Sequence, residues 1–362
     1  MDAQQKENLD LDGDRYAETF AQGIDAQAAE FKNIANTKLI ISLIGEANAG
    51  KSATVNALTG RKLSEVHPIA GWTKQITLHQ YADNVFIADT PGLHEMRTLA
   101  LGAQATEFVA QEADIILFFV NAASNRTAEE RDAFRALRHL NKPTIVVLNK
   151  IDTIEAEAIS AVVNDLTQRL NYDLIVPISA TKGINIDLLS NQIAEILSGE
   201  GKELLFLKVA KHKEERVKLW IRGAALSAFG IGAMPLPGSD IVPLTALQAG
   251  LCMRIAYIYN LQVSKGDVMK LLGSSVTGVA GKALYRNAAK LIADLLLGPT
   301  GMVASSAAAG AIAAAMTWGL GFAANAYYKS GMTLDLGEIS KIYHDAFSSY
   351  LTARRSDRAV ER

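Results

Sequence analysis

The chain has 362 residues, 49% of them hydrophobic, with a formal net charge of −2, six histidines and one cysteine. That length accommodates two domains, while the lone Cys252 excludes a disulfide framework and the scattered histidines lack zinc-ligand spacing. The polar, acidic start from Met1 to Asp14 does not read as a secretory signal, so a reducing, cytoplasmic setting is expected and secretion is not.

In chain order, Tyr16, Phe20, Ile24, Ala28, Phe31 and Ile34 form one helical stripe. This predicts an N-terminal helical segment over 1–36 that packs on helices from the far end of the chain. Lys38 to Ile44 is an apolar run with strand character, and Thr54 to Leu58 reads as the first turns of a helix. Between them stands Gly45-Glu46-Ala47-Asn48-Ala49-Gly50-Lys51-Ser52. A strand, a glycine-flanked loop and a helix N-terminus make an anion cradle: backbone N–H groups from Asn48 through Ala49, Gly50, Lys51, Ser52 and Ala53 converge with the positive end of the helix dipole. Lys51 adds a mobile charge for β- and γ-phosphates, and the Ser52 hydroxyl suits Mg²⁺. Alone, the loop indicates only a nucleoside triphosphate.

Downstream, the apolar run Val85 to Ala88 ends in Asp89-Thr90-Pro91-Gly92. A carboxylate at the tip of a strand beside the loop holds the Mg²⁺ shell through a water, and Gly92 leaves its N–H open to a γ-phosphate. Thr144 to Leu148 ends in Asn149-Lys150-Ile151-Asp152. The Asp152 carboxylate accepts two N–H bonds from the guanine N1 and N2 edge, a donor pair that adenine lacks. Leu174 to Ile178 ends in Ser179-Ala180-Thr181, which backs guanine O6 through a main-chain N–H. Each short motif alone would pass for a turn. Four in order, each at the C-terminal end of a strand where open α/β sheets bind ligands, mark a guanine-nucleotide domain.

Residues about 37 to 199 resemble the TrmE–Era–EngA branch of translation-factor-type GTPases. The resemblance rests on GxxNxGKS at Gly45 to Ser52, DTPGLH at Asp89 to His94, NKID at Asn149 to Asp152 and SATKGINID at Ser179 to Asp187. It implies an α/β P-loop GTPase fold, a mostly parallel sheet with one antiparallel edge strand, and hydrolysis of GTP to GDP and phosphate with Mg²⁺. Val66 to Thr73 occupies the switch I region; Thr73 matches the Mg²⁺-ligating threonine that closes over the γ-phosphate, and Trp72 replaces a small polar residue of many relatives. Leu93 stands where Ras-like enzymes carry the water-orienting Gln. In the TrmE-like branch an alternative route uses a K⁺ ion held partly by the P-loop Asn, here Asn48, where an arginine finger would sit and two G domains meet. Asn48 also reads as a loop-stabilising side chain. The resemblance therefore implies Lys51, Thr73, Gly92 and Asn48 as the catalytic set, with turnover slow in the monomer and raised by K⁺ or self-association. Glu95 and Glu107 are candidate bases, but neither falls on the matching position, and none is assigned.

Residues 200–362 carry 19 Lys and Arg against 12 Asp and Glu, a net +7, which leaves −9 of the whole-chain −2 for residues 1–199. A basic, apolar half suggests an anionic partner, a membrane surface or RNA, beside the reading of ordinary charged surface. Lys202 to Lys218 reads as one charged helical stretch with Leu204, Leu205, Leu207, Val209 and Val217 on its apolar side. Gly223 to Pro237 and Ile241 to Met253 predict a hairpin or two short helices about Pro237-Gly238, since Pro235, Pro237 and Pro243 do not share one straight helix. Leu295 to Tyr328 runs about 34 residues without a charge, long enough for a bilayer core of ~30 Å. It is rich in Ala, Gly and Ser, with Gly310 and Ala314 at small-xxx-small spacing. Two readings stand: a membrane insertion or hairpin anchor, or buried helices of a soluble bundle. Leu336 to Arg355 has Ile339, Ile342, Tyr343, Phe347, Tyr350 and Leu351 at helical spacing, for a surface-lying or docked helix.

Pro235-Leu236-Pro237-Gly238-Ser239-Asp240-Ile241-Val242-Pro243, followed by Gln248 and Met253, resembles the apolar C-terminal domain of YcjF-like proteins over roughly 203–330. That resemblance implies membrane association. The layout of G domain plus apolar helices also resembles dynamin-like and immunity-related GTPases, as architecture only. The expected organisation is an N-terminal segment 1–36, a G domain 37–199 and an all-α apolar domain 200–362. Expected partners are guanine nucleotide, a second G domain, a lipid surface at the inner face of a membrane, and a protein. RNA is less favoured, because no KH-like Gly-x-x-Gly loop or aromatic-interleaved basic run is present. An Era-like ribosome-assembly factor and a soluble scaffold remain the alternatives.

Overall fold

Leu39–Gly45 forms β1, and all of its residues are buried, as befits a strand covered on both faces. In the computed structural model, which describes residues 33–34, 36–62, 68–73, 76–89, 99–124, 128–199, 201–233, 241–261, 263, 267, 271 and 305–360, β1 is the centre of a seven-stranded sheet. The strands are β2 (Pro68–Thr73), β3 (Ile76–Ala82), β4 (Val85–Asp89), β5 (Ile115–Asn121), β6 (Thr144–Asn149) and β7 (Ile175–Pro177), ordered β2-β3-β4-β1-β5-β6-β7. β4, β1, β5, β6 and β7 pair in parallel. The sheet is thus mostly parallel with one antiparallel strand, as expected. That strand, β3, sits one place in from the edge, because β2 pairs outside it with Thr73 opposite Ile76. The switch I segment therefore contains an edge strand.

Helices α1 (Lys51–Thr59), α2 (Leu99–Glu112), α3 (Ala128–Arg138), α4 (Ala158–Leu170), α5 (Ile186–Ser198) and α6 (Glu203–Val209) complete this unit. Phe108 and Val109 of α2, Phe134 of α3 and Leu166 and Leu170 of α4 pack with Ile40, Ile44, Ile116, Phe118, Val146 and Leu148 of the strands.

The chain divides into compact units, with Asn33–Glu215 as the nucleotide-motif unit and Arg216–Arg362 within the other. The sequence places the boundary at 199; the compact unit instead runs to Glu215. The reason is α6, which buries Leu204, Leu205, Phe206, Leu207 and Val209. At about 1.5–3 kcal/mol per buried side chain, that amounts to roughly 8–15 kcal/mol as an upper bound, large against the stability of a domain. Lys202 Nζ also pairs with Asp114 Oδ1, whose other oxygen accepts from Ile40 N at 2.8 Å. The single helical stretch expected over 202–218 is broken after Val209. There Ala210 is extended, Lys211 N donates to Leu58 O at 2.7 Å, and Ser190 Oγ donates to His212 O at 3.1 Å.

The second unit contains most of α7 (Glu214–Gly232), together with α8 (Ile241–Ile258), α9 (Ser305–Lys329) and α10 (Leu336–Val360). The two helices expected on either side of the Pro-Gly turn are α7 and α8; the turn itself lies outside the described residues. Pro243 falls in the first turn of α8, where proline removes no helical hydrogen bond. Glycines let α9 approach its neighbours closely. A Cβ on Gly321 would stand 2.7 Å from Ile221 Cγ1, one on Gly310 2.6 Å from Phe229 O, and one on Gly319 3.0 Å from Tyr343. The small-residue stripe of Gly310 and the buried Ala314 is therefore spent on packing within the unit. Ile339, Tyr343, Phe347 and Leu351 of α10 are buried, so this helix is docked. Among the described residues no helix is long and apolar enough to cross a membrane. Residues 295–304 of the long uncharged segment and the N-terminal helix over 16–32 lie outside the described residues.

Candidate functional site

β1 delivers the chain into the phosphate loop through Gly45, where a Cβ would lie 2.7 Å from both Cβ and O of Phe119. Asn48 (φ 63°) and Gly50 (φ 92°) both take left-handed backbone, and Gly50 is the N-cap of α1. No side chain caps that helix, so the first-turn N–H groups at Lys51, Ser52 and Ala53 lack an intrahelical acceptor and suit an anion. Lys51 Nζ donates back to Gly45 O at 3.1 Å and Glu46 O at 3.2 Å, closing the loop. Ala49 is buried, whereas Asn48 and Ser52 are exposed. Among the described residues the Asn48 side chain has no hydrogen-bond partner, while its left-handed backbone suits an Asn in the loop, so both readings of this residue stand.

The end of β6 ties this loop to the two later motif segments. Asn149 is buried; its Nδ2 donates to Ala49 O at 2.9 Å, and its Oδ1 accepts from Ala180 N at 3.1 Å. One amide thus fixes the phosphate loop, Asn149-Lys150-Ile151-Asp152 and Ser179-Ala180-Thr181 in a single frame. Lys150 takes φ 65° and caps a short 3-10 turn, Ile151–Thr153, which presents Asp152 exposed. Ser179 and Ile184 exchange backbone bonds at 3.1 and 3.0 Å, and Ser179 Oγ accepts from Lys182 N at 3.2 Å. Asn185 Nδ2 donates to Pro177 O at 2.8 Å. These bonds pin a tight loop with Thr181 exposed at its tip.

Asp89 ends β4. Its Oδ1 is buried and has no hydrogen-bond partner among the described residues. Burial pushes its carboxyl above the usual carboxylate range, opposed by the Lys51 ammonium and by His79. His79 reaches the same face from β3, where Thr77 stands opposite Asp89. An ionisable oxygen held dry beside a lysine, without a donor, is the state a hard cation would relieve.

Residues 40–150 match the family described as 50S ribosome-binding GTPase, and residues 203–351 match a domain of unknown function, DUF697. The chain is 35% identical to GTPase Era of Aquifex aeolicus over 176 residues, 45% of this chain and 58% of that protein. It is 28% identical to GTPase Era of Ruminiclostridium cellulolyticum over 184 residues, 49% of this chain and 61% of that protein. This part of the chain is similar to Era-type GTPase domains. It spans about three fifths of the curated relatives it matches. Among solved structures, Era in complex with MgGDPNP and nucleotides 1506–1542 of 16S ribosomal RNA aligns at 32% identity, covering 44% of this chain and 56% of that one, with a TM-score of 0.36.

Within the GTPase domain, the structure brings together Ala49, Gly50, Lys51, Ser52, Asp89, Asn149 and Ala180, and places Lys150, Asp152, Ser179 and Thr181 on the adjoining loops. Ser52, exposed on the first turn, and Asp89 fit Mg²⁺, which when bound neutralises charge developing on the phosphates. Thr73 lies at the end of β2. Gly92, Leu93 and Glu95 lie outside the described residues. Glu107 is exposed on α2, accepting from Gln111 Nε2 at 3.2 Å. Two supports escaped the sequence reading. Asn185 belongs to the quoted SATKGINID motif, yet only its bond to Pro177 shows why an Asn serves there. His79 enters through cross-strand register, which no linear spacing encodes.

Proposed function

We propose that this chain is a Mg²⁺-dependent switch that binds GTP and hydrolyses it slowly to GDP and phosphate. It works in the cytoplasm at the inner face of a membrane and through self-association. The observation that carries the nucleotide reading is the Asn149 amide, which locks the anion cradle to the guanine-reading loops. In the working site Ser52, Asp89 and Thr73 hold Mg²⁺, Lys51 and the N–H groups of the loop and Gly92 hold phosphates, and Asp152 and Ala180 read guanine. The exposed Asn48 supports a K⁺ site completed by a second G domain. The basic, Ala- and Gly-rich second half supports the membrane setting.

Titrating GTP and XTP against Asp152→Asn tests the base assignment. A switch of preference to XTP is expected; retained preference for GTP would overturn it. A second reading, an RNA- or ribosome-bound factor, draws on the family description. Fractionation separates the two. Recovery in a membrane pellet supports the first and co-sedimentation with ribosomes the second, while full solubility without either leaves a protein-binding scaffold.

A further inference from the structure

β3 runs between β2, the strand of switch I, and β4, which ends in Asp89. Its side chains alternate between the two faces of the sheet. Leu78, opposite Ala88, belongs to the core cluster with Phe108 of α2 and Phe134 of α3. Thr77 and His79 therefore take the other face, Thr77 directly opposite Asp89 and His79 opposite Ile87. That register makes His79 a diagonal neighbour of Asp89, a separation that an aromatic side chain can span. On its other side His79 stands opposite Pro68 of β2, the strand that ends in Thr73. Asp89 Oδ1 and His79 Nδ1 are both buried, and neither has a hydrogen-bond partner among the described residues.

A carboxylate that serves a metal shell needs a donor on its free oxygen, which fixes its orientation and favours its ionised form. Among the described residues, three groups compete for that place. Lys51 carries the charge, but its Nζ donates to Gly45 O at 3.1 Å and Glu46 O at 3.2 Å, and a bound triphosphate draws it to the β- and γ-phosphates. Thr77 stands directly opposite, yet its hydroxyl leaves Asp89 Oδ1 without a bond. His79 remains. An imidazole nitrogen and a carboxylate oxygen, both held out of water on one face of adjacent strands, each lack what the other supplies. His79 also acts electrostatically on the Asp89 carboxyl, in the same direction as Lys51.

We propose that His79 is a positioning residue of the Mg²⁺ site, its Nδ1–H donating to Asp89 Oδ1 in the loaded protein and holding the carboxylate toward the water shell of the metal. The bond is open in the structure and closes on loading, as hydrogen bonds of such sites commonly do. The role requires a donor at Nδ1 and no change of charge. It rests on the Mg²⁺-dependent GTP reading above and adds to it a residue that none of the sequence motifs contains.

The test is equilibrium binding of GTP to the full chain as free Mg²⁺ is varied, with a parallel titration in EDTA. Wild type is expected to bind GTP more tightly with Mg²⁺. His79→Leu is expected to need about tenfold more free Mg²⁺ for half of that gain, the loss typical of a missing partner behind a metal ligand. Its GTP affinity in EDTA and its melting temperature without nucleotide should match wild type. Asn places its amide where Nδ1 stands and Gln where Nε2 stands, so His79→Asn should restore most of the loss and His79→Gln should not. On an Asp89→Asn background, His79→Leu should add nothing, because the carboxylate it orients is gone. An unchanged Mg²⁺ requirement in His79→Leu overturns the proposal, and so does an Asn variant no better than Leu. Equal losses with Mg²⁺ and in EDTA, together with a lower melting temperature, would make His79 a structural strand residue only. A larger effect of Thr77→Val would give the donor role to Thr77. If wild type binds GTP equally with and without Mg²⁺, the metal reading of Asp89 itself falls.

Discussion

The Asn149 side chain sits at the end of β6 with its nitrogen on Ala49 O and its oxygen on Ala180 N. Asn149→Ala leaves both backbone groups short of a partner, which costs about 1–3 kcal/mol. Urea unfolding should show that loss, and GTP affinity should fall at least tenfold as the two loops lose their common frame. Lys213 makes a separate point about charge. Burial pulls its ammonium down to about 8, with Arg61 acting in the same direction and Glu214 against it. The unfolded lysine titrates near 10.5, so between these values the unfolded chain holds the extra proton. Stability therefore rises with pH from about 8 to 10.5 on account of this group, and carries the full penalty below 8. Thermal melts across that window should show the rise in wild type and its loss in Lys213→Met.

Among the helices, α8 and α9 meet in a buried polar contact: Gln248 Nε2 donates to Thr317 Oγ1 at 3.0 Å. Removing the Thr317 hydroxyl costs Gln248 one hydrogen bond in an apolar interface, whereas replacing both side chains by apolar ones leaves shape as the main demand. Thr317→Val alone should cost about 1–3 kcal/mol, and adding Gln248→Leu should recover part of it in a double-mutant cycle. The α9 glycines act by distance. Gly321→Val would drive a side chain into Ile221, where even a Cβ stands at 2.7 Å. An overpacking loss of about 1–3 kcal/mol is expected in chemical unfolding of the helical unit.

At the scale of the molecule, α6 decides where the nucleotide unit ends. A fragment covering residues 33–215 should fold and bind GTP, whereas one stopping at 199 exposes the surface that α6 covers and should aggregate or melt far lower. Light scattering and thermal melts of the two fragments check this. Hydrolysis, if Asn48 helps to hold K⁺ between two G domains, should rise with K⁺ over Na⁺ and with protein concentration. Equal rates in both salts at every concentration would remove that mechanism.

The sequence by itself determined the motifs of a P-loop GTPase fold and its mostly parallel sheet. Phosphate cradles, guanine carboxylates and buried strands need fixed residue types at fixed local spacing, from Gly45 to Ser52 and from Asn149 to Asp152. It also placed the second half among helices, because apolar periodicity is local. Only the tertiary structure decided that Asn149 is a brace, that β2 lies outside the antiparallel strand, and that α6 belongs to the nucleotide unit. It also decided that the small residues of α9 pack inward and that His79 shares a face of the sheet with Asp89. These depend on which neighbour a backbone group or a side chain meets across long separations in the chain, and a linear pattern of polarity carries no record of that partner.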